Sequence, residues 1–333
     1  MRGMPRPELI WIALVVVTLL LVQPGPSLAT SQECPADMVA IPAGRFRIGA
    51  AGRLPEEAEA TVRLRPFCLG RTEVTNREFA SFVEATGYTT QAEQPLSTEQ
   101  FPGLSAAERR PGSVVFRPPS PGEPVQELSW WHWMPGADWR HPEGPGSAID
   151  ERLDHPVVQV SVADVQAYAA WAGAALPSEA QWEFAARGGL KDQVFSWGDT
   201  WKPGLANTWQ GTFPVNNTAE DGYPGTAPVG HFPANGYGLF DMTGNVWEWT
   251  SDWYQSGHDP IDGQQDPHLE DPAASSDPRE PGVAKHVIKG GSFLCAPNYC
   301  SRYRPAAREA ESPDTGTSHI GFRLASPLLN ASL

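Results

Sequence analysis

The sequence is short of positive charge. Its 333 residues include 24 Lys and Arg against 39 Asp and Glu, which gives a formal net charge of −15 at pH 7. Because binding to a phosphate backbone needs clustered cations, this deficit argues against nucleic acid as a partner. Hydrophobic residues still make up 40% of the chain and include 13 Trp, so we expect a substantial core.

Several catalytic signatures are also absent. The sequence has no G-x-S-x-G, H-E-x-x-H or P-loop pattern, and no G-x-G-x-x-G followed by a predicted helix. Cysteine is scarce, with four in the chain. They form no C-x-x-C pair, and the chain has no H-x-x-x-H pattern, so a zinc ribbon or zinc finger is excluded.

One long apolar run is present, and it lies at the N-terminus. The segment from Leu9 to Val22 is almost entirely apolar, follows Arg2 and Arg6, and precedes small residues at 27–29. Since a membrane-spanning helix needs about 20 apolar residues, we expect residues 1–29 to be a cleaved signal peptide rather than a stable membrane anchor. The mature protein is then expected in the periplasm, outside the cell or in a secretory lumen.

The remaining chain predicts an irregular α+β body. Gly and Pro number 32 and 34, which predicts many turns and few long helices. Capping residues predict short helices after Thr75, Ser161 and Ser178. Residues 38–48 are predicted to form a hairpin, with an apolar run, a Pro-Ala-Gly turn and then alternation.

Two Pro-rich stretches, 89–127 and 255–284, are predicted to be long loops. Residues 286–293 are apolar enough for a buried strand, which Gly290 and Gly291 interrupt, and a last strand is predicted over 320–324.

Two thiols, Cys295 and Cys300, stand five residues apart. In an oxidising compartment this spacing is compatible with a disulfide that closes a small loop. It is also compatible with a soft metal of low coordination number such as Cu(I), because two thiolates have no third ligand nearby. The residues alone leave both interpretations open.

Oxygen-bearing side chains are spread over glycine-rich turns between residues 206 and 254. Asn207, Glu220 and Asp221 lie in one segment, and Asp241, Asn245 and Glu248 lie in another. Such turns suit Ca²⁺, although ordinary Asx turns and caps are the alternative.

A Trp-rich segment runs from Trp130 to Trp139. Core packing explains it, and an aromatic groove for an extended peptide is the functional alternative.

These segments together resemble one known family, over residues 38–325. The strings that carry the resemblance include MVAIPAGRFRIG, WRHPEGP, ANTWQGTFPV, NGYGLFDMTGNVWEW, KGGSFLCAPNYCSRYRPAAR and GFRLA. They resemble the catalytic branch of the formylglycine-generating enzyme family, also called sulfatase-modifying factors. The resemblance implies one compact domain over residues 30–333, with an α+β, C-type-lectin-like fold and little regular secondary structure.

The resemblance also implies a reaction. The family oxidises the cysteine of a Cys-x-Pro-x-Arg motif in an unfolded or nascent sulfatase to Cα-formylglycine, with O₂ and a thiol reductant. Its copper ligands fall on Cys295 and Cys300. Ser292 matches a serine beside the oxygen pocket, and Trp247 matches a wall of that pocket.

Two calcium ions are implied as structural support. Asn207 and Asp221 match side-chain ligands of the first ion, while Thr208 and Tyr223 match its carbonyl donors. The matching residues for the second ion are Asp241, which stands where the animal enzyme has Asn, and Gly244, Val246 and Glu248.

The sequence departs from the animal enzymes at their extra cysteines. Pro305 and Leu324 stand at two of those places. Once the resemblance assigns Cys295 and Cys300 to copper, Cys34 and Cys68 remain. We expect these two to form a disulfide; two separately buried thiols are the alternative.

Two other functions compete with the sulfatase-modifying oxidase. One is a binding or maturation module of the same fold that carries out no oxidation. The other is the same oxidation performed on a protein that is not a sulfatase.

Overall fold

The computed structural model describes Gly3 and residues 33–328, apart from 100, 121, 259 and 260. Except for Gly3, the predicted signal segment 1–29 lies outside the described residues. Within them, no helix is both long and apolar enough to cross a membrane.

Short α-helices begin after each of the three predicted capping residues. They are α1 (Asn76–Thr86), α2 (Val162–Trp171) and α3 (Glu179–Ala186). Thr75 accepts a hydrogen bond from the backbone of Glu78, whose carboxylate accepts one from the backbone of Thr75. The same reciprocal arrangement caps α2 and α3, so local sequence decides where these helices start.

The strands are short and fall into several small sheets. They are β1 (Met38–Ile41), β2 (Gly44–Ile48), β3 (Ala60–Leu64), β4 (Phe67–Gly70), β5 (Gly112–Phe116), β6 (Trp131–Pro135), β7 (Gly211–Thr212), β8 (Asn216–Asn217), β9 (Trp247–Trp253), β10 (His286–Lys289), β11 (Glu309–Glu311), β12 (Ile320–Gly321) and β13 (Ala325–Pro327). The largest sheet has the order β11-β10-β9-β12, in which β9 is antiparallel to β10 and parallel to β12. A second sheet has the order β1-β4-β13, and the pairs β2-β3, β5-β6 and β7-β8 form two-stranded ribbons.

The predicted hairpin over 38–48 is wrong. Both strands exist, but β1 pairs with β4 and β2 pairs with β3. Two-residue hairpin turns require a positive φ that Pro42 cannot adopt, so the turn separates the strands instead of pairing them.

The two stretches expected as loops differ from each other. Residues 89–127 contain β5, which pairs with β6 and buries Val115. Described residues between 255 and 284 form no strand, but they are tied to the body. Asp262 accepts the backbone N–H of Thr61 at 2.7 Å, and Asp266 accepts that of Arg65 at 2.8 Å.

The core is aromatic and lies around the largest sheet. Phe79 of α1 packs against Phe82, Tyr168 and Trp139, with ring centroids 5.2–5.8 Å apart. A second cluster packs Trp182 of α3 against residues of β1 to β4. The third cluster, which includes Trp130, Trp209, Phe213 and Phe293, leads to the site described below.

The expected disulfide between Cys34 and Cys68 is confirmed. It joins the segment before β1 to β4, with Cα atoms 5.6 Å apart and 34 residues of separation.

Replacing both Cys34 and Cys68 by Ala should lower the free energy of unfolding by about 3–4 kcal/mol, because a loop of this length is then no longer closed in the unfolded chain. Urea unfolding measures this change. The single variant Cys34→Ala serves as control for the lost Cys68 packing, since it breaks the bond and keeps that side chain. A free energy equal to that of the wild type would contradict the prediction.

Candidate active site

The loop that carries Cys295 and Cys300 begins where β10 leaves the core. Gly290 and Gly291 have positive φ angles of 95° and 72°, which other residues rarely adopt. A Cβ on Gly291 would lie 2.7 Å from the backbone of Tyr303. The loop therefore starts with a turn that requires glycine and folds back onto its own C-terminal half.

Backbone hydrogen bonds fix the N-terminal half of this loop. The N–H of Cys295 donates to Ser292 O at 2.9 Å, and its carbonyl accepts from Trp209 N at 3.0 Å. Phe293 N donates to Asn245 O at 2.9 Å. Cys295 is consequently held by main-chain contacts from segments more than forty residues away in sequence.

The two thiols are in direct contact without being bonded. Their Sγ atoms are 2.7 Å apart. Cys295 is buried and Cys300 is half-buried. Burial raises the pKa of Cys295 well above its usual range. The pKa of Cys300 is lowered, chiefly because the Cys295 thiol can donate to it, and also by the backbone N–H and charge of Arg302. Cys300 is therefore the more acidic thiol of the pair.

Such a pair has two chemical uses. It can lose two electrons and two protons to form a disulfide, or it can hold a soft metal ion between two sulfurs. Within the part of the chain that the structure describes, no three or more His, Cys, Asp or Glu side chains are grouped to hold a metal. The donor set of two thiolates fits Cu(I), which accepts few, soft ligands, and does not fit Ca²⁺ or Mg²⁺.

Ser292 contacts Cys295, and Trp247 lies in the large apolar core cluster that also includes Cys295. Ser292 is fully buried, and its hydroxyl is a hydrogen-bond partner that moderates the raised pKa of Cys295. Trp247 begins β9, is buried, and belongs to the same apolar cluster as Cys295. Its backbone N–H donates to His319 O at 2.9 Å.

An aromatic wall formed by Trp130, Phe213 and Tyr299 adjoins Cys300. The ring of Tyr299 stacks on Phe213 at 4.2 Å, and it meets Trp130 edge-on at 5.2 Å. Tyr299 is 41% exposed, whereas the indole Nε1 of Trp130 is buried and has no hydrogen-bond partner in the described chain. The wall therefore presents the exposed ring of Tyr299 to a ligand, while Trp130 supports it from behind.

The Trp-rich segment contributes to the core and also presents an aromatic ring at the surface. Trp130 and Trp139 are buried, while Trp133 is 39% exposed. Trp131 stacks on His319 with centroids 4.7 Å apart.

A cleft of about 470 Å³, here called the β5–β6 cleft, lies along these strands. Its lining includes the exposed rings of Phe101 and Trp133 and the carboxylates of Asp164 and Asp314. Gln159 also lines it, and the buried Oε1 of this side chain has no partner among the described residues. The Asp164 carboxylate is engaged in capping α2, so the exposed carboxylate of Asp314 and the aromatic rings are the groups that suit a cationic side chain.

The first set of calcium candidates is brought together around Asp221. Its carboxylate accepts hydrogen bonds from Thr208 N at 3.1 Å and from Tyr223 N at 3.0 Å. Asn207 is buried and donates through Nδ2 to Gly225 O at 2.9 Å, but its Oδ1 has no partner in the described chain. An orphaned buried oxygen beside a carboxylate fits a hard cation.

The second set is only partly brought together. Both oxygens of Glu248 accept from Arg323, at 2.6 and 2.7 Å, and Trp182 Nε1 donates to one of them at 2.8 Å. Asp241 instead faces Glu73, a residue that the sequence analysis missed. Burial raises the pKa of Asp241 to about 6 and that of Glu73 well above its usual range.

This cluster carries excess negative charge when it is ionised. Glu73, Asp241 and Glu248 supply three carboxylates, and Arg323 supplies one guanidinium, all of them buried. The Oε2 atom of Glu73 has no hydrogen-bond partner in the described part of the chain. Either protons or a cation must compensate the excess.

Comparisons with known proteins identify the family. A model of the sulfatase-modifying factor enzyme 1-like domain matches residues 25–328. The formylglycine-generating enzyme of Mycobacterium tuberculosis is 50% identical over 292 residues, which cover 86% of this chain and 96% of that protein. The chain belongs to the formylglycine-generating enzyme family.

Two further likenesses define what membership in the formylglycine-generating enzyme family establishes. The solved structure of PvdO from Pseudomonas aeruginosa has a TM-score of 0.59 at 24% identity and covers 87% of this chain and 94% of its own, which supports the fold alone. The predicted α+β fold class is confirmed.

A bovine relative named inactive C-alpha-formylglycine-generating enzyme 2 is 38% identical, with 93% of this chain and 95% of that protein covered. Activity must therefore be argued from the site residues.

The structure gathers most of the residues that the resemblance singled out. Ser292, Cys295 and Cys300 lie together, and so do the residues of the first calcium set. Glu73 was missed because it lies just before the N-terminus of α1, where an acidic residue is common and needs no functional explanation. No local signal shows that it meets Asp241, 168 residues later.

The asymmetry of the two thiols predicts selective alkylation. At neutral pH, iodoacetamide should modify Cys300 first, because its pKa is lowered and it is half-exposed, while Cys295 stays unmodified until the pH is strongly raised. Peptide mapping by mass spectrometry over a pH series measures both. In the Cys300→Ser control, Cys295 should remain unmodified; equal labelling of both thiols in the wild type would contradict the assignment.

Proposed function

We propose that this family member is an oxidase that converts the cysteine of a Cys-x-Pro-x-Arg motif in an unfolded sulfatase to Cα-formylglycine. The observation that carries the proposal is the unbonded thiol pair, with Sγ atoms 2.7 Å apart, beside the aromatic wall. The chain's similarity to named formylglycine-generating enzymes supports the class of reaction.

The reaction requires both O₂ and a reductant. A CH₂–SH side chain becomes an aldehyde when O₂, two protons and two electrons are consumed, and hydrogen sulfide and water are the other products. We propose that a thiol supplies the two electrons.

We propose Cys295 and Cys300 as the ligands of copper(I). When bound, copper(I) would supply redox chemistry and affinity for O₂ and for a further thiolate. The protein's own contribution is to lower the pKa of the Cys300 thiol, to bury the other sulfur at Cys295, and to place the hydroxyl of Ser292 beside it. We propose Trp247 as a wall of the oxygen pocket.

The groove residues support recognition of an extended peptide. The exposed ring of Tyr299 can pack against the motif's proline. In the β5–β6 cleft, the exposed carboxylate of Asp314 can receive the arginine.

The length of the recognised motif supports an unfolded substrate. An arginine four residues after the cysteine is about 13 Å away in an extended chain, and a folded sulfatase would not present both ends in this form. The strongly acidic surface favours approach of that arginine.

We propose calcium as structural support. The first ion would be held by Asn207 and Asp221 with carbonyls of Thr208 and Tyr223, which is supported by the orphaned Asn207 oxygen.

For the second ion, we propose Asp241 and the carbonyls of Gly244 and Val246 as ligands. Arg323 binds the carboxylate of Glu248, so we propose that Glu73 supplies the second carboxylate in its place.

We propose that the protein is exported. The disulfide between Cys34 and Cys68 supports an oxidising compartment, since such bonds are rare in the cytosol.

Purified protein supplied with Cu(I), O₂, a thiol reductant and a Cys-x-Pro-x-Arg peptide should produce an aldehyde, which hydrazide labelling and mass spectrometry detect. Cys295→Ala and Cys300→Ala should abolish turnover, because each removes one of the two sulfur ligands. Ser301→Ala, at an exposed neighbour, is the matched control and should remain active. Normal turnover by both cysteine variants would refute the copper assignment.

Calcium added to chelator-treated protein should raise the melting temperature. An ion present at a hundred times its Kd stabilises the folded state by about 2.7 kcal/mol. Asn207→Ala should remove most of this effect because it deletes the unpartnered oxygen, whereas Asn216→Ala, on the exposed β8, should retain it. Identical calcium shifts in both variants would exclude Asn207 as a ligand.

A further inference from the structure

A buried carboxylate from a distant segment holds the C-terminal half of the thiol-bearing loop. Glu57 lies in the 3₁₀ turn Pro55–Glu57 and is fully buried. Its Oε2 accepts from Nη1 of Arg304 at 2.9 Å, and its Oε1 accepts from Nη2 of the same guanidinium. The pair is bidentate and joins residues 247 apart in sequence.

A second ion pair runs beside the first. Arg302 donates to Glu56 Oε1 through Nη2 at 2.6 Å and through Nε at 3.0 Å. It also lies 3.3 Å from Glu309 Oε2. Since Arg302 is only partly buried, this pair is the weaker of the two.

The turn that presents these carboxylates is itself fixed. A Cβ on Gly49 would lie 2.5 Å from Glu57 O, so the two segments are packed backbone to backbone. Ala50 N donates to Glu57 O at 2.9 Å, and His258 Nδ1 lies 2.5 Å from Ala58 O. Glu57 therefore projects from a backbone that has little freedom to move.

The contact reaches Cys300 through one residue. Nε of Arg304 donates to Ser301 O at 3.1 Å, so the guanidinium that Glu57 holds also holds the carbonyl next to Cys300. Cys295 is fixed separately, by the backbone hydrogen bonds to Ser292 and Trp209. Two independent anchors thus determine where the two sulfurs lie relative to each other.

We propose that Glu57, acting through Arg304, is a positioning residue that sets the separation of the Cys295 and Cys300 sulfurs. The proposal rests on the proposed function insofar as the pair holds copper, but the geometry that it concerns exists without metal. Buried ion pairs frequently add no net stability over apolar residues, whereas their bidentate geometry restricts position.

The test compares Glu57→Gln with Glu59→Gln, a matched change on an exposed residue close to the same turn. The first measurement is the equilibrium with glutathione disulfide below the unfolding temperature. The two protein thiols lose two electrons and two protons as they form a disulfide, and one glutathione disulfide becomes two glutathione thiols. The second measurement is Cu(I) affinity by competition with a chromogenic chelator.

Glu57→Gln should weaken Cu(I) binding by about 10–100-fold, the usual effect of losing a residue that orients a metal ligand. The disulfide equilibrium constant should fall by about tenfold or more, because misplaced groups lose effective concentration. Glu59→Gln should change neither constant.

Arg304→Lys is the second variant, since it keeps the charge and loses the bidentate contact. It carries the test if Glu57→Gln does not fold, and the same two losses are expected. If a folded variant shows a lower free energy of unfolding with both constants unchanged, Glu57 is structural only and the proposal is overturned. Absence of Cu(I) binding in the wild type would instead refute the proposed function, while the disulfide equilibrium would still decide the positioning role.

Discussion

The active-site loops depend on arginines that are buried against carboxylates. Arg323 is held by Glu248 at 2.6 Å, Arg308 by Glu179 at 2.7 Å, and Arg304 by Glu57 at 2.9 Å. Each pair joins segments that are at least 75 residues apart in sequence. The strands are short, so few backbone hydrogen bonds join them. The ion pairs therefore hold distant segments together, as longer ladders of backbone hydrogen bonds do in regular sheets. Removing one partner from such a pair typically costs about 3–5 kcal/mol, since the other charge stays buried. The pairs therefore select one arrangement of the loops and disfavour alternatives.

The same design leaves negative charge to be compensated. In the cluster around Arg323 one guanidinium serves Glu248 fully and reaches Glu73 only at 4.0 Å, while Asp241 lies nearby. A fold held by buried ions thus has a reason to recruit a hard cation where arginine runs short. This links the irregular backbone to the proposed calcium sites through electrostatics rather than through a separate metal-binding module.

Features that depend on neighbouring residues could be predicted from the sequence, whereas features that depend on residues far apart in sequence could not. The helices after Thr75, Ser161 and Ser178 begin at the predicted places because capping is decided within four residues. The hairpin at 38–48 failed because strand pairing is decided by distant partners and by a turn in which Pro42 is unsuitable. Cys295 and Cys300 were found because they are close in sequence and stand in a specific motif. Glu57 and Glu73 were missed because their partners lie 247 and 168 residues away, and nothing local to an acidic residue reveals a distant partner.

The two pairs of cysteines in this chain differ in state, and their surroundings explain the difference. Cys68 is fully buried on β4, so an external thiolate cannot reach it, and the closed loop of 34 residues keeps its partner close. Cys300 is half-buried at the aromatic wall, so an external thiolate can attack it and return an oxidised pair to the reduced state. The buried Cys295 is shielded from such attack. Accessibility, more than spacing, separates the structural cysteines from the reactive ones, which is why the sequence alone left the role of the second pair open.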